Sequence, residues 1–94
     1  MKYEIIGPAE DEAKKYYDCR RKGLGIEFIK EISRTISRIT EFPEAWAPIS
    51  SRARRCLVKR FPYGIIYQIR DDKILILAFM HLSRKPDYWK GRAM

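Results

Sequence analysis

The spacing of hydrophobic positions changes partway along this chain. Tyr3-Glu4-Ile5-Ile6 reads as a short strand, and Gly7-Pro8 ends it, with Pro8 suited to the first turn of a helix. Ala9, Ala13, Tyr16 and Tyr17 then recur at helical spacing. Glu10, Asp11 and Glu12 fall in the first turn and Arg20, Arg21 and Lys22 in the last, each where the helix dipole favours that charge. Residues 8–22 therefore predict a helix, stopped near Gly23. A second helix begins at Leu24 or Gly25. Phe28, Ile29, Ile32, Ile36 and Ile39 form one apolar stripe along it, and Glu27, Lys30, Glu31, Arg34 and Arg38 occupy its other faces. It ends at Phe42-Pro43, because the residue before proline is pushed out of the helical region. So short a junction predicts an antiparallel αα-hairpin.

Beyond a connector at 43–51, from which Trp46 is expected to pack back on the helices, the period becomes that of strands. Arg52 to Arg60 is strand-like around Cys56-Leu57-Val58, and Phe61-Pro62-Tyr63-Gly64 is turn chemistry. Ile65 to Arg70 is a strand, Asp71-Asp72 a short hairpin turn, and Lys73 to His81 a β-branched and aliphatic strand covered on both faces for part of its length. The order β–α–α–β–β–β predicts an α+β fold. Its antiparallel sheet has about four strands, with the N-terminal αα-hairpin packed on one face. No repeat or interdomain linker interrupts it, so residues 1–94 are expected to form a single domain.

Charge adds an asymmetry to this plan. Residues 1–51 hold nine Lys/Arg and nine Asp/Glu, whereas residues 52–94 hold eleven and three, so the whole net charge of +8 belongs to the strand half. Such an imbalance points to a polyanionic or acidic partner. No apolar run approaches the roughly 20 residues that span a bilayer, and the N-terminus lacks the organisation of a signal peptide. A cytoplasmic protein with no membrane association is expected. Cys19 and Cys56 lie in different elements and read as ordinary thiols, and one histidine makes a zinc site a poor fit. No cofactor or metal is expected.

Four stretches resemble the RelE/ParE superfamily of toxins from type II toxin–antitoxin systems, particularly its plasmid-stabilisation-type members. They are Tyr16-Tyr17 with Gly23-Leu24-Gly25 and Phe28; Ile39 through Pro43-Glu44-Ala45-Trp46; Arg54-Arg55-Cys56-Leu57-Val58-Lys59-Arg60-Phe61-Pro62-Tyr63-Gly64-Ile65-Ile66-Tyr67; and His81-Leu82-Ser83-Arg84-Lys85-Pro86-Asp87-Tyr88-Trp89. The resemblance implies a growth-inhibiting toxin silenced by a cognate antitoxin in a hetero-oligomer. It also implies one of two targets, DNA gyrase for ParE-like members or messenger RNA on the ribosome for RelE-like ones. A non-toxic basic RNA-binding domain is the remaining alternative.

Metal-independent RNA cleavage needs a 2′-hydroxyl deprotonated, cations on the developing phosphorane and a proton for the leaving oxygen. The resemblance places Arg84, Tyr88 and His81 near the functional positions of ribonuclease members. Arg54, Arg55, Lys59, Arg60 and Lys85 are the expected nucleic-acid contacts. Two departures count against cleavage. Ribonuclease members carry an arginine just after the tyrosine of the third strand, where this chain has Gly64. Their arginine at the end of the fourth strand falls at Leu82. Gyrase poisoning is the preferred expectation. Bland readings stand beside these roles: Lys59 and Arg60 as strand-edge protection, Tyr88-Trp89 as a hydrophobic clasp for the C-terminus, and Tyr63 and Tyr67 as core.

Overall fold

Strand β1 (Lys2–Ile5) leads directly into helix α1 (Gly7–Asp18), and helix α2 spans Lys22–Glu41. A two-residue strand β2 (Ala47–Pro48) precedes β3 (Arg54–Leu57), β4 (Tyr63–Arg70) and β5 (Lys73–His81), and a 3-10 turn closes at Lys90–Arg92. The computed structural model describes residues 2–18, 22–83 and 88–92. The expected junction at 19–21, with Cys19, lies outside the described residues. Helix α2 starts at Lys22, ahead of the glycines expected to separate the helices, so Gly23 and Gly25 lie inside it.

The sheet has five strands in the order β1-β5-β4-β3-β2. β3, β4 and β5 are the expected antiparallel meander, while β1 runs parallel to β5, so the sheet is mixed. The chain returns to β5 only after both helices, which is the crossover that a parallel neighbour requires. β2 is an addition: Ala47 and Pro48 pair with Arg55 and Arg54 within the connector. Asp71 takes φ 55° in the β4–β5 turn, a left-handed conformation that aspartate tolerates.

Each face of the sheet carries its own core. On one, Phe28, Ile32, Ile36 and Ile39 of α2 and Ala9 of α1 pack on Cys56, Ile65, Tyr67, Ile74, Ile76 and Phe79. Complete burial of residues such as Phe28 and Ile39 is worth about 1.5–3 kcal/mol each. Trp46 joins this cluster, half-buried. On the other face, Ile66, Leu75, Leu77, Ala78 and Met80 pack against Ala53 and Trp89, so the C-terminal segment is the second cover. A bulge serves both faces. Ile66 pairs with Ala78 but Tyr67 with Ile76, which leaves Leu77 as an extra residue. Leu77 and Ala78 therefore both face Trp89, and Phe79 returns to the helices.

Candidate functional site

The β3–β4 turn gathers several of the predicted residues at one end of the sheet. Val58 N–H donates to Tyr63 O at 2.9 Å, which closes the turn and leaves Lys59 and Arg60 exposed at its tip. Arg60 sits at φ 71°, an uncommon conformation for a residue with a Cβ. Its guanidinium lies 3.7 Å from Glu27 of α2 in an exposed pair. Phe61 anchors the turn by packing edge-on to Phe28 at 5.3 Å. Phe28 and Tyr63 are 5.2 Å apart, and Tyr63 and His81 5.0 Å, so an aromatic chain runs from α2 to the end of β5.

His81 is half-buried on that chain. Ser83 N–H donates to its Nδ1 at 3.1 Å, and the Ser83 hydroxyl lies 2.7 Å from the same nitrogen. A backbone amide can only donate, so Nδ1 is the acceptor and the neutral ring carries its proton on Nε2. On the opposite face, Gly64 is buried under the stem of Arg55. A Cβ at position 64 would stand 3.1 Å from both Cγ and Cδ of Arg55. The stem of Arg55 therefore occupies the space that a side chain at position 64 would take. Beside it, Leu57 is exposed.

Arg54, one residue earlier, has a different surrounding. Its Nη1 donates to the carbonyls of Glu44 at 3.1 Å and Trp46 at 2.8 Å, tying β3 to the connector. Tyr67, its partner across the ladder, donates its hydroxyl to Pro43 O at 2.6 Å. Burial pushes the Tyr67 phenol up to about 12, since the phenolate would lose its hydration; Arg54 opposes this only in part. Burial likewise raises the Cys56 thiol, against the pull of Arg38, so this cysteine is an inert core residue.

Tyr88 belongs to a separate knot. Its hydroxyl donates to Glu12 Oε2 at 2.5 Å, and Arg92 Nη1 donates to Glu12 Oε1 at 2.8 Å. Arg92 also donates to Leu77 O at 3.0 Å, and Phe79 N–H donates to Glu12 Oε1 at 3.3 Å. The Arg92 guanidinium lies 5.1 Å from the centre of the Tyr88 ring. β1 ends its pairing at Ile76, so Leu77 and Phe79 face the edge that β1 vacates. A carboxylate and a guanidinium fill it. Glu12 reads in sequence as a dipole-complementing acid. The signal for its inward role is its place three residues after Ala9 and one before Ala13, on the apolar side of α1.

Comparison with known proteins bears on this architecture as a whole. The family described as ParE toxin of type II toxin-antitoxin system, parDE, matches residues 3–86. This chain belongs to that family. A solved structure titled "Chromosomal ParDE TA system from P. aeruginosa" superposes on the chain with a TM-score of 0.75 at 13% identity, covering 87% of this chain and 96% of that one. At that identity the likeness concerns the fold. No curated protein matches the chain.

In this ParE-family toxin, Arg55, Lys59, Arg60 and His81 share the turn end of the sheet. Arg54 is turned to the connector and Tyr88 to Glu12. Arg84 and Lys85 lie outside the described residues. Among the described residues, no group of three His, Cys, Asp or Glu side chains could hold a metal ion, and no helix is long and apolar enough to cross a membrane.

Proposed function

We infer that the chain, as a member of the ParE toxin family, acts as the toxin component of a type II toxin–antitoxin pair. We propose that it arrests growth in the cytoplasm by poisoning DNA gyrase, and that its cognate antitoxin silences it by covering the basic strand half. The observation that carries this reading over RNA cleavage is the commitment of the Tyr88 hydroxyl. It donates to Glu12 inside a clasp that also holds Arg92 and the edge of β5. A phenol that must move a proton to a leaving oxygen would have to break that bond first. The side chain over Gly64 is moreover a carbon stem, which supports docking more readily than a built phosphorane cradle. On this reading Arg55, Lys59, Arg60 and Lys85 approach the gyrase–DNA complex electrostatically, and Arg54 supports them by fixing the connector.

Ribosome-dependent, metal-independent cleavage of mRNA is the second reading. The half-buried His81, with one defined tautomer and the cationic turn nearby, favours it. His81, Arg84 and Tyr88 would then be the catalytic set. Purified toxin assayed in parallel on gyrase supercoiling and on translating ribosomes separates the two. The expected result is inhibited supercoiling with intact mRNA. Cleaved mRNA that is lost in the Arg84→Ala/Tyr88→Ala double variant, with supercoiling unaffected, would overturn the gyrase reading. If a small reading frame adjoins the gene, co-expression with it tests the antitoxin, and a stable co-purifying complex is expected.

A further inference from the structure

β1 is the last strand on its side of the sheet, and its outer edge meets no other strand among the described residues. In the parallel ladder with β5, Ile6 N–H donates to Ile76 O at 3.2 Å. Successive strand residues turn their N–H and C=O to alternate sides, so Lys2 and Glu4 also face β5 with theirs. Tyr3 and Ile5 turn theirs outward, which offers both backbone groups of Tyr3 to a further strand. The side chains alternate as well. Tyr3 pairs with Ile74 on the helix-covered face and is 50% exposed. Lys2 and Glu4 share the other face with Lys73 and Leu75. The ladder sets Lys2 opposite Lys73, two like charges, and Glu4 is bonded to Lys73 at 3.3 Å. Among the described residues, Lys2 therefore has no carboxylate of its own.

We propose that this edge is a self-pairing surface, on which a second copy of the chain lays its own β1 antiparallel to the first. Lysine on a sheet edge ordinarily discourages such pairing. Here its alternation with glutamate makes the edge complementary to itself. A two-fold axis at Tyr3 sets Tyr3 against Tyr3 of the second copy, and Lys2 of each chain against Glu4 of the other. The two tyrosines exchange both backbone bonds. The flanking Lys2–Glu4 pairs are then of the non-hydrogen-bonded kind, in which side chains stand closest. Aromatic pairs and opposite charges directly across a ladder both stabilise it. Other axes fit less well. One at Glu4 faces carboxylate with carboxylate, and one at Ile5 draws in Gly7, where α1 has begun. So short an edge buries less than a standard interface, which makes the dimer weak and reversible. The inference rests on the sheet edge alone and stands whether or not gyrase is the target.

Sedimentation velocity of the free protein over about 1 μM to 1 mM tests it, at an ionic strength that screens the net charge of +8. A monomer–dimer equilibrium within that range is expected. Tyr3→Pro removes the outward amide and leaves the bonds to β5, so it should abolish the dimer with the folded spectrum retained. Glu4→Lys and Lys2→Glu should each weaken self-association about tenfold, since both ion pairs turn repulsive at once. Mixed together, these two variants should associate with one another, because one chain then carries both cations and the other both anions. The double variant Lys2→Glu/Glu4→Lys should self-associate again. The proposal is overturned by a protein that stays monomeric across the range, by a dimer that survives Tyr3→Pro unchanged, or by single charge variants whose mixture associates no better than each alone.

Discussion

Two strands of this sheet outrun their neighbours, and the chain treats the two exposed edges differently. Where β1 ends beside β5, the protein supplies both charges itself: Glu12 takes the Phe79 amide and Arg92 takes the Leu77 carbonyl. Where β3 begins beside β4, the described residues that line the gap include Ser50, Ser51, Arg52, Arg54 and Gln68 and no Asp or Glu. The first edge is closed by an internal ion pair that completes the fold. The second is bordered by the 49–53 loop, whose Ile49 and Ser50 amides both donate to Ala53 O. The difference follows from what crosses each edge. Helix α1 passes the first and can lend a carboxylate, while a short loop with no acid between Ala45 and Asp71 passes the second.

The closed edge is best broken through its anchor. Trp89 is 1% exposed and holds the C-terminal segment on the second face of the sheet. Trp89→Ala should cost about 3–4 kcal/mol in denaturant unfolding, within the range for large aromatic truncations. Its indole N–H has no hydrogen-bond partner among the described residues, so Trp89→Phe should cost less than 1–2 kcal/mol, about what the lost area alone predicts. Equal losses in the two variants would show that the N–H is satisfied and that the segment is held differently. Glu12→Ala comes next. It removes one acceptor from three donors and leaves the half-buried Arg92 unpaired, for an expected loss of about 2–3 kcal/mol. A double-mutant cycle with Arg92→Ala should return a coupling near 1–2 kcal/mol, and additivity would mean that the two residues act separately.

Much of this was legible before any coordinates. The α2 stripe, apart from the exposed Ile29, the strand from Lys73 to His81 and the αα-hairpin follow from periodicity, because each expresses one face of one element meeting one layer. Other features depend on pairs of elements far apart in sequence. The parallel docking of β1 and the Glu12–Tyr88–Arg92 knot join residues some 70 to 80 positions apart, and no local spacing encodes them. Arg54 and Arg55 show the limit most clearly. Strand parity sends them to opposite faces. One is tied to backbone carbonyls and the other is laid along Gly64. Gly64 reads in sequence as a missing cation, whereas in space it makes room for the Arg55 stem.

The open edge is sharpened by Tyr67, whose hydroxyl fixes Pro43 and with it the connector that bounds the gap. Tyr67→Phe should lose about 1 kcal/mol at neutral pH, the usual net value of a hydrogen bond. The signature lies in its pH dependence. Burial raises the folded-state value from 10.0 to about 12, so the fold favours the neutral phenol. That contribution is fully present below pH 10 and declines as pH rises toward 12, because the unfolded chain releases the proton first. Urea midpoints of the wild type should therefore fall across this window relative to Tyr67→Phe. Parallel curves for the two proteins would show that Tyr67 ionises freely and does not hold the connector.

The smallest expected effect asks whether charge or backbone capping closes the β5 edge. Glu4 on β1 and Lys73 on β5 form a salt bridge at 3.3 Å across the same edge as Glu12 and Arg92. Both side chains are substantially exposed, at 59% and 43%, and unlike Glu12 this carboxylate accepts no backbone amide among the described residues. An exposed pair gains little in high dielectric and is screened by salt. Glu4→Gln should therefore change stability by less than about 0.5 kcal/mol, and by still less at high salt. Glu12→Gln should fall well below Glu12→Ala yet clearly above Glu4→Gln, because glutamine keeps an acceptor for the Phe79 amide while losing the charge that Arg92 faces. If the two glutamine variants cost the same, the edge is held by packing alone. A gap between them means that the carboxylate itself serves as the missing strand.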